Sequence, residues 1–484
     1  MSITNLSPKN VWGHFYSLTQ IPRPSKKEEK AILFLENFGK NLGLETIKDE
    51  LGNIIIRKPA TPGMENRKGI ILQAHIDMVP QKNSDKVHDF EKDPIIPRIV
   101  DGWVYATGTT LGADNGLGVA VAMAVLEAKD MVHGPIEMLI TMDEEAGMNG
   151  ARGLKSGILK GDILINLDSE DEGELYVGCA GGLDANVVFK YKEEDVPAGY
   201  EGYELKITGM KGGHSGMDII LGRGNANKSM VRILLPLMEK LGAKLVSIEG
   251  GSLRNAIPRE AFATLAIPAG KVEEAKKIVA KEFEDIKHEL VAQDPDIKIT
   301  LDKVATPAKA IENTVAMNMV KAVYACPNGV ERMSDAMPGL VETSNNLAIV
   351  KSENGEIMVS CLLRSSMDSA KDILAASIKS TFDLAGATTT LSGGYPGWKP
   401  NVDSAILKAM KAVYKDMYGK EPEVKAIHAG LECGILGGAY PNWDMISCGP
   451  TIRSPHSPDE RVNIETVEKW WNYVVEVLKN APAK

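Results

Sequence analysis

No uncharged apolar run of about 18 residues occurs in this chain of 484 residues, so nothing in it reads as a bilayer-spanning helix. The opening stretch MSITNLSPKNVWGHFYSLTQIP lacks the apolar segment of a secretory signal, and a cytoplasmic address is the expectation. Cysteine is scarce. Its five positions, Cys179, Cys326, Cys361, Cys433 and Cys448, are odd in number and fall in no CxxC or CxxH spacing. Neither a disulfide framework nor a thiolate zinc site is indicated, which leaves reduced, mostly buried thiols. Long basic blocks are also missing, and 55 Lys and Arg stand against 65 Asp and Glu for a net charge of -10. No general affinity for nucleic acid or for an anionic membrane is expected; the acidic balance favours solubility. Low-complexity segments are absent from the sequence.

What is present is ordinary globular material, 44% hydrophobic and 25% charged, too long for one simple core. PSKKEEKAILFLENFGKNLG predicts a helix in which Ser25 caps, Glu28 completes a capping box, Ile32, Leu35, Phe38 and Leu42 recur at helical spacing, and Gly43 stops. Then come the β runs NIIIRK and GIILQAHIDMV, a glycine-rich loop and helix (GTTLGADNGLGVAVAMAVLEA), and the strands IEMLITMDEEAG and DILINLDSEDEG. Alternating strands and helices imply an α/β layer around a largely parallel sheet, with polar residues at the strand ends, where such sheets bind ligands. After GCAGGLDANVVFK the pattern shifts to longer alternating strands and amphipathic helices near 226–241 and 271–291. The stretches 186–285 and 300–392 each read as a small strand-and-helix unit. YPGWKPN marks a return, with a helix from about 403 to 418 and the polar loop SPHSPDERV. The expected organisation is one catalytic domain from residues 1–182 and 396–484, interrupted by an inserted α+β domain, 183–395.

Side chains alternate across a strand, so His75 and Asp77 project from one face and can act on one thing. Asp114 sits in LGADNGLG, which is neither GxGxxG nor GxxxxGK[ST] and carries an acid where a phosphate loop favours donors; a cation suits it better. Glu144 and Glu145 stand side by side after a strand and repel unless positive charge lies near. Asp168 follows another strand, and His456 lies in a proline-bracketed loop. Two imidazoles and at least three carboxylates make a mixed N/O ligand set that suits zinc and, less selectively, cobalt or manganese. One shared carboxylate would place two ions about 3.5 to 4 Å apart, as in co-catalytic hydrolases. The spare acids could then orient an imidazole or accept a proton from water.

With those residues assembled, the chain resembles the two-zinc exopeptidase clan of aminoacylases and glutamate carboxypeptidases, and more narrowly the aminoacyl-histidine (Xaa-His) dipeptidases. The motifs that carry the resemblance run nearly end to end, in order: QAHIDMVPQKN, GTTLGADNGLGVA, MDEEAGMNGA, INLDSEDEGELYVGCAGG, GMKGGHSGMDI, RNAIPRE, HAGLECG and SPHSPDERV. The resemblance implies two divalent cations per chain, Zn2+ first, with His75 and Asp168 on one, Glu145 and His456 on the other, and Asp114 bridging. It makes Asp77 the residue that orients His75 and Glu144 the general base, and it implies a cis bond between Asp114 and Asn115. The inserted domain would be a lid whose His214 stabilises the developing oxyanion. Asn255 and Arg364 would contact substrate, Arg364 through the terminal carboxylate, and His428 and Glu432 would line the side-chain pocket. The implied substrate is a dipeptide with C-terminal His; the rival readings are an aminoacylase or a carboxypeptidase of the same clan and, from another class, a metal-binding scaffold without catalysis, against which the presence of Glu144 beside every ligand argues. The implied partner state is a homodimer, although a long lid could complete the site within one chain.

Overall fold

A computed structural model of the chain describes residues 2–484. Two compact units emerge. The first comprises 1–178, 398–426 and 431–484; the second comprises 179–397 and the short return 427–430.

The first unit is built on an eight-stranded sheet. In chain order its strands are β1 (Glu45–Lys48), β2 (Ile54–Lys58), β3 (Ile70–His75), β4 (Ile136–Thr141), β5 (Ile163–Asn166), β6 (Glu174–Cys179), β7 (Glu423–Ile427) and β8 (Asp444–Ser447). Their spatial order is β1-β2-β4-β3-β5-β8-β6-β7. The four central strands β4, β3, β5 and β8 run parallel, and β1 and β2 are added antiparallel at one side. Every residue of β3, β4 and β5 is buried, as expected of a parallel sheet covered on both faces. Helices from both chain ends belong to this unit, among them Lys9–Thr19, Ala113–Glu127, Ala405–Tyr418 and Ile464–Lys479. The sequence therefore gives the right class here: mixed α/β with a largely parallel sheet.

The predicted capping box is a correction. The helix runs Glu29–Asn41, and no side chain caps its first turn. Ser25 Oγ instead donates to Asp77 Oδ2 at 2.8 Å, and Glu28 Oε1 accepts from the N–H groups of Lys26 (2.9 Å) and Asp143 (3.1 Å). Ser25 answers to Asp77 beyond β3, and Glu28 divides between the neighbouring Lys26 N–H and the Asp143 N–H beyond β4, so neither forms the expected cap.

The second unit carries a nine-stranded sheet that is antiparallel in its recorded pairings. Helices Ala226–Leu241, Val272–Glu289, Asn313–Ala325 and Asp368–Leu384 bury their apolar stripes in one core with it. The two sequence stretches expected to form separate small units share strands. Gly181–Lys190 lies between Glu356–Ser365 and Thr388–Tyr395, while Lys298–Val304 pairs with Tyr200–Thr208. Among the described residues, no helix is long and apolar enough to cross a membrane.

Candidate metal centre and substrate residues

β3 ends at His75, and the ring is buried at the edge of the sheet. Its Nε2 lies 3.2 Å from Asp114 Oδ1 and 3.3 Å from Asp168 Oδ1. Asp114 turns its other oxygen, Oδ2, to His456 Nε2 at 3.3 Å, and Glu145 Oε2 approaches the same nitrogen at 3.0 Å. The five side chains thus fall into two sets, His75 with Asp168 and His456 with Glu145, each on one oxygen of Asp114. Local backbone serves this placement. Gly112 takes φ 70°, Asp114 and Asn115 leave helical geometry at the start of Ala113–Glu127, and the Asp114–Asn115 peptide is cis. The Asn115 side-chain amide donates to Asp168 Oδ1. His456 itself has φ 59°, a left-handed conformation that holds the ring in its proline-bracketed loop.

Asp77 lies just past β3, fully buried. Its Oδ1 is 3.4 Å from His75 Nδ1 and accepts from Glu144 N–H at 2.9 Å; its Oδ2 accepts from Glu145 N–H at 3.1 Å and from Ser25. One carboxylate therefore fixes both the imidazole and the acidic turn that follows β4.

Electrostatics explain why the cluster wants a cation. Burial pushes Asp168 up to about 7, with Asp114 and Glu145 adding to the rise against the pull of His75. Burial likewise opposes ionisation of Asp114, but the two imidazoles hold its carboxyl well below the usual range. Hydrogen bonds to Asp114 and Glu145 push His456 up to about 11. Protonated imidazoles are one way to satisfy three crowded carboxylates. Divalent cations are the stronger way, because they leave the rings neutral and able to ligate. The donor set passes this test in a second respect: His75, Asp114 and Glu145 offer ligand atoms all within 4.8 Å, and Glu145 Oε1 is buried with no hydrogen-bond partner.

In the second unit, His214 Nδ1 accepts from the N–H groups of Gly216 (3.2 Å) and Met217 (3.0 Å). Burial, then Arg364, lowers its pKa, so the ring is neutral and carries its hydrogen on Nε2 as a donor. Arg364 is buried; its Nε and Nη2 donate to Ser215 Oγ at 3.2 Å each, and among the described residues it forms no ion pair. Asn255 is exposed beside this segment, its carbonyl accepting from Ser215 N–H at 2.8 Å. His428 Nε2 lies 2.7 Å from Ser344 Oγ, and burial with Arg364 nearby pushes it down to about 3.

His428 and Glu432, both expected to line the side-chain pocket, fall in different units. The structure groups 427–430 with the second unit and 431 onward with the first. Glu432 is 1% exposed, its Oε2 taken by Gln73 Nε2 and Thr141 Oγ1 at 2.7 Å each, beneath the ends of β3 and β4. Its Oε1 is buried with no hydrogen-bond partner.

The sequence matches the model of peptidase family M20/M25/M40 over residues 71–480. The chain belongs to this family. The cytosol non-specific dipeptidase of Escherichia coli is 48% identical over 482 residues, covering 100% of this chain and 99% of that protein. Among solved structures, the aminoacylhistidine dipeptidase of Vibrio alginolyticus superposes with a TM-score of 0.95 at 49% identity, covering 100% of this chain and 99% of its own. An aminopeptidase PepT from Bacillus cereus shares the fold at a TM-score of 0.58 and 17% identity, covering 98% and 99%.

Reasoning from motifs in this M20 family member missed residues that act through backbone. Arg23, 1% exposed, donates to the carbonyls of Ile76 (2.8 Å), Asp77 (3.2 Å) and Gly112 (2.6 Å). Glu460 accepts from four backbone N–H groups of the Asp114 loop. Its one sequence signal is its place four residues after His456, inside SPHSPDERV.

Proposed function

We propose that this M20 peptidase is a dipeptidase that hydrolyses Xaa-His and related dipeptides, with the first unit catalytic and the second acting as its lid. The division of ligands about Asp114 carries the reading: His75 and Asp168 would hold one divalent cation, Glu145 and His456 the other, and Asp114 both. Such a pair, when bound, supplies Lewis acidity that activates water and polarises the scissile carbonyl, with zinc preferred and cobalt or manganese able to serve.

The chain's own groups do the rest. Glu144 is the general base. Burial first, and then the Asp168, Glu432 and Glu145 carboxylates, raise its pKa well above the usual range against the opposing pull of His75. A carboxylate so tuned takes a proton from the attacking water and passes it to the leaving amine. Asp77 orients His75 and holds the N–H groups of Glu144 and Glu145. His214 offers its Nε2 hydrogen to the developing oxyanion. Arg364, a buried guanidinium without a carboxylate partner, suits the terminal carboxylate of a short peptide, and Asn255 and His428 are further substrate contacts. The names of the two relatives above support dipeptide substrates and, from the Escherichia coli protein, a cytosolic address.

A panel of Gly-His, β-Ala-His, dipeptides without His and their N-acetylated forms tests the reading. Cleavage of the free dipeptides, fastest with C-terminal His, is expected. Preference for the blocked forms would point to an aminoacylase or carboxypeptidase instead.

A further inference from the structure

The carboxylate of Glu460 is 2% exposed and collects four consecutive backbone donors. Oε2 accepts from Leu111 (2.7 Å) and Gly112 (2.9 Å), and Oε1 from Ala113 (2.7 Å) and Asp114 (3.2 Å). None of these four groups can accept a proton, so an ionised carboxylate is the form they match. The opposite side of the loop is held as well: Arg23 donates to the Gly112 carbonyl at 2.6 Å, and a Cβ at Gly112 would lie 2.6 Å from its Nη2. The backbone leading into Asp114 is thus gripped on its N–H side by a carboxyl group and on its C=O side by a guanidinium. Glu460 also closes its own loop, its N–H donating to Ser457 O at 2.9 Å in the turn that directly follows His456.

We infer that Glu460 is a positioning residue for the cation pair: its carboxylate aims the bridging Asp114 and ties the His456 loop to it, across 346 positions of chain. All four hydrogen bonds of its carboxylate go to backbone, so it would act on the cations only through Asp114 and the loop. The inference rests on the two-cation reading above. A tie needed only for folding would change stability alone. A tie that aims Asp114 must also change how tightly and in what geometry cations are held, since partners of ligand groups typically alter metal affinity by about 10- to 100-fold.

Cobalt titration of metal-stripped protein, followed by visible absorption, tests this with Glu460→Gln. The amide keeps the size of the side chain but turns an NH2 toward two of the four N–H donors. Wild type is expected to take up two ions per chain. In E460Q the affinity for at least one should fall by roughly 10- to 100-fold, with an altered absorption band and a lower kcat at little-changed KM. E460Q with wild-type affinity and spectrum would overturn the inference. Wild type that takes up fewer than two ions would instead overturn the two-cation reading, and the inference with it. If E460Q does not give folded protein by circular dichroism, Glu460→Asp, which keeps the anion but withdraws it by one methylene, decides by the same criterion.

Discussion

Asp77 uses both carboxylate oxygens on its neighbours, and the value of each neighbour follows from that. The N–H groups of Glu144 and Glu145 and the His75 ring are set by one side chain, so the proposed base and two proposed ligands move together. Replacing Glu144 by Gln should lower kcat by roughly 10^2- to 10^4-fold while two cations stay bound, as read by elemental analysis. Retained turnover would remove Glu144 from the mechanism. His428 offers a test through pH. An unfolded chain protonates it near the ordinary histidine value, whereas the fold holds it down to about 3 by burial beside Arg364. The unfolded state therefore binds the extra proton, and stability should fall as pH drops from about 6.5 toward 3, by about 1.4 kcal/mol per unit of difference at most. His428→Gln should flatten that acid limb in denaturant titrations. An unchanged slope would mean His428 is not held neutral. At this scale the clustering of His75, Asp114, Glu145, Asp168 and His456 was legible in the sequence because imidazoles and carboxylates at strand ends are conspicuous. Glu460 and Arg23 were not, because their partners are backbone groups, which every residue possesses.

Elements explain why the ligands arrive where they do. β3, β4 and β5 are buried throughout and parallel, so His75, the Glu144–Glu145 turn and Asp168 emerge at the same carboxyl end of the sheet. That arrangement was readable from alternation and strand composition. The helix Glu29–Asn41 was readable too, but its cap was not, because Ser25 and Glu28 are claimed by groups distant in sequence. The helix Ala113–Glu127 holds a sharper lesson. Gly118 lies in the first regular turn after the Asp114–Asn115 break, where alanine would gain at most about 1 kcal/mol in helix propensity. A Cβ there would lie 1.9 Å from Asn115 Oδ1 and 2.7 Å from the Leu167 carbonyl. Overpacking of this kind costs about 1 to 3 kcal/mol, and the side chain pushed aside is the one that holds Asp168. Gly118→Ala should therefore lower both Tm and cation affinity. A higher Tm with unchanged affinity would show that the helix can shift freely against the end of β5.

At the scale of the whole molecule, the ligands come from far apart in the chain, His75 near one end and His456 near the other, so bound cations would cross-link the first unit. Chelation should lower its Tm, and readdition at 100 times the dissociation constant should restore about 2.7 kcal/mol per site. Identical melting with and without chelator would contradict that linkage. Ordered motifs from QAHIDMVPQKN to SPHSPDERV made the family recognisable from sequence, whereas the assignment of 427–430 to the second unit was not. HAGLECG reads as one motif, yet its two halves fall in different units, and no periodicity in seven residues signals the break. The most direct measurement is anomalous diffraction at the zinc edge from crystals of the zinc-loaded protein. Two peaks, one beside His75 and Asp168 and one beside Glu145 and His456 with Asp114 between them, are predicted. A single peak, or zinc bound away from Asp114, would contradict the account.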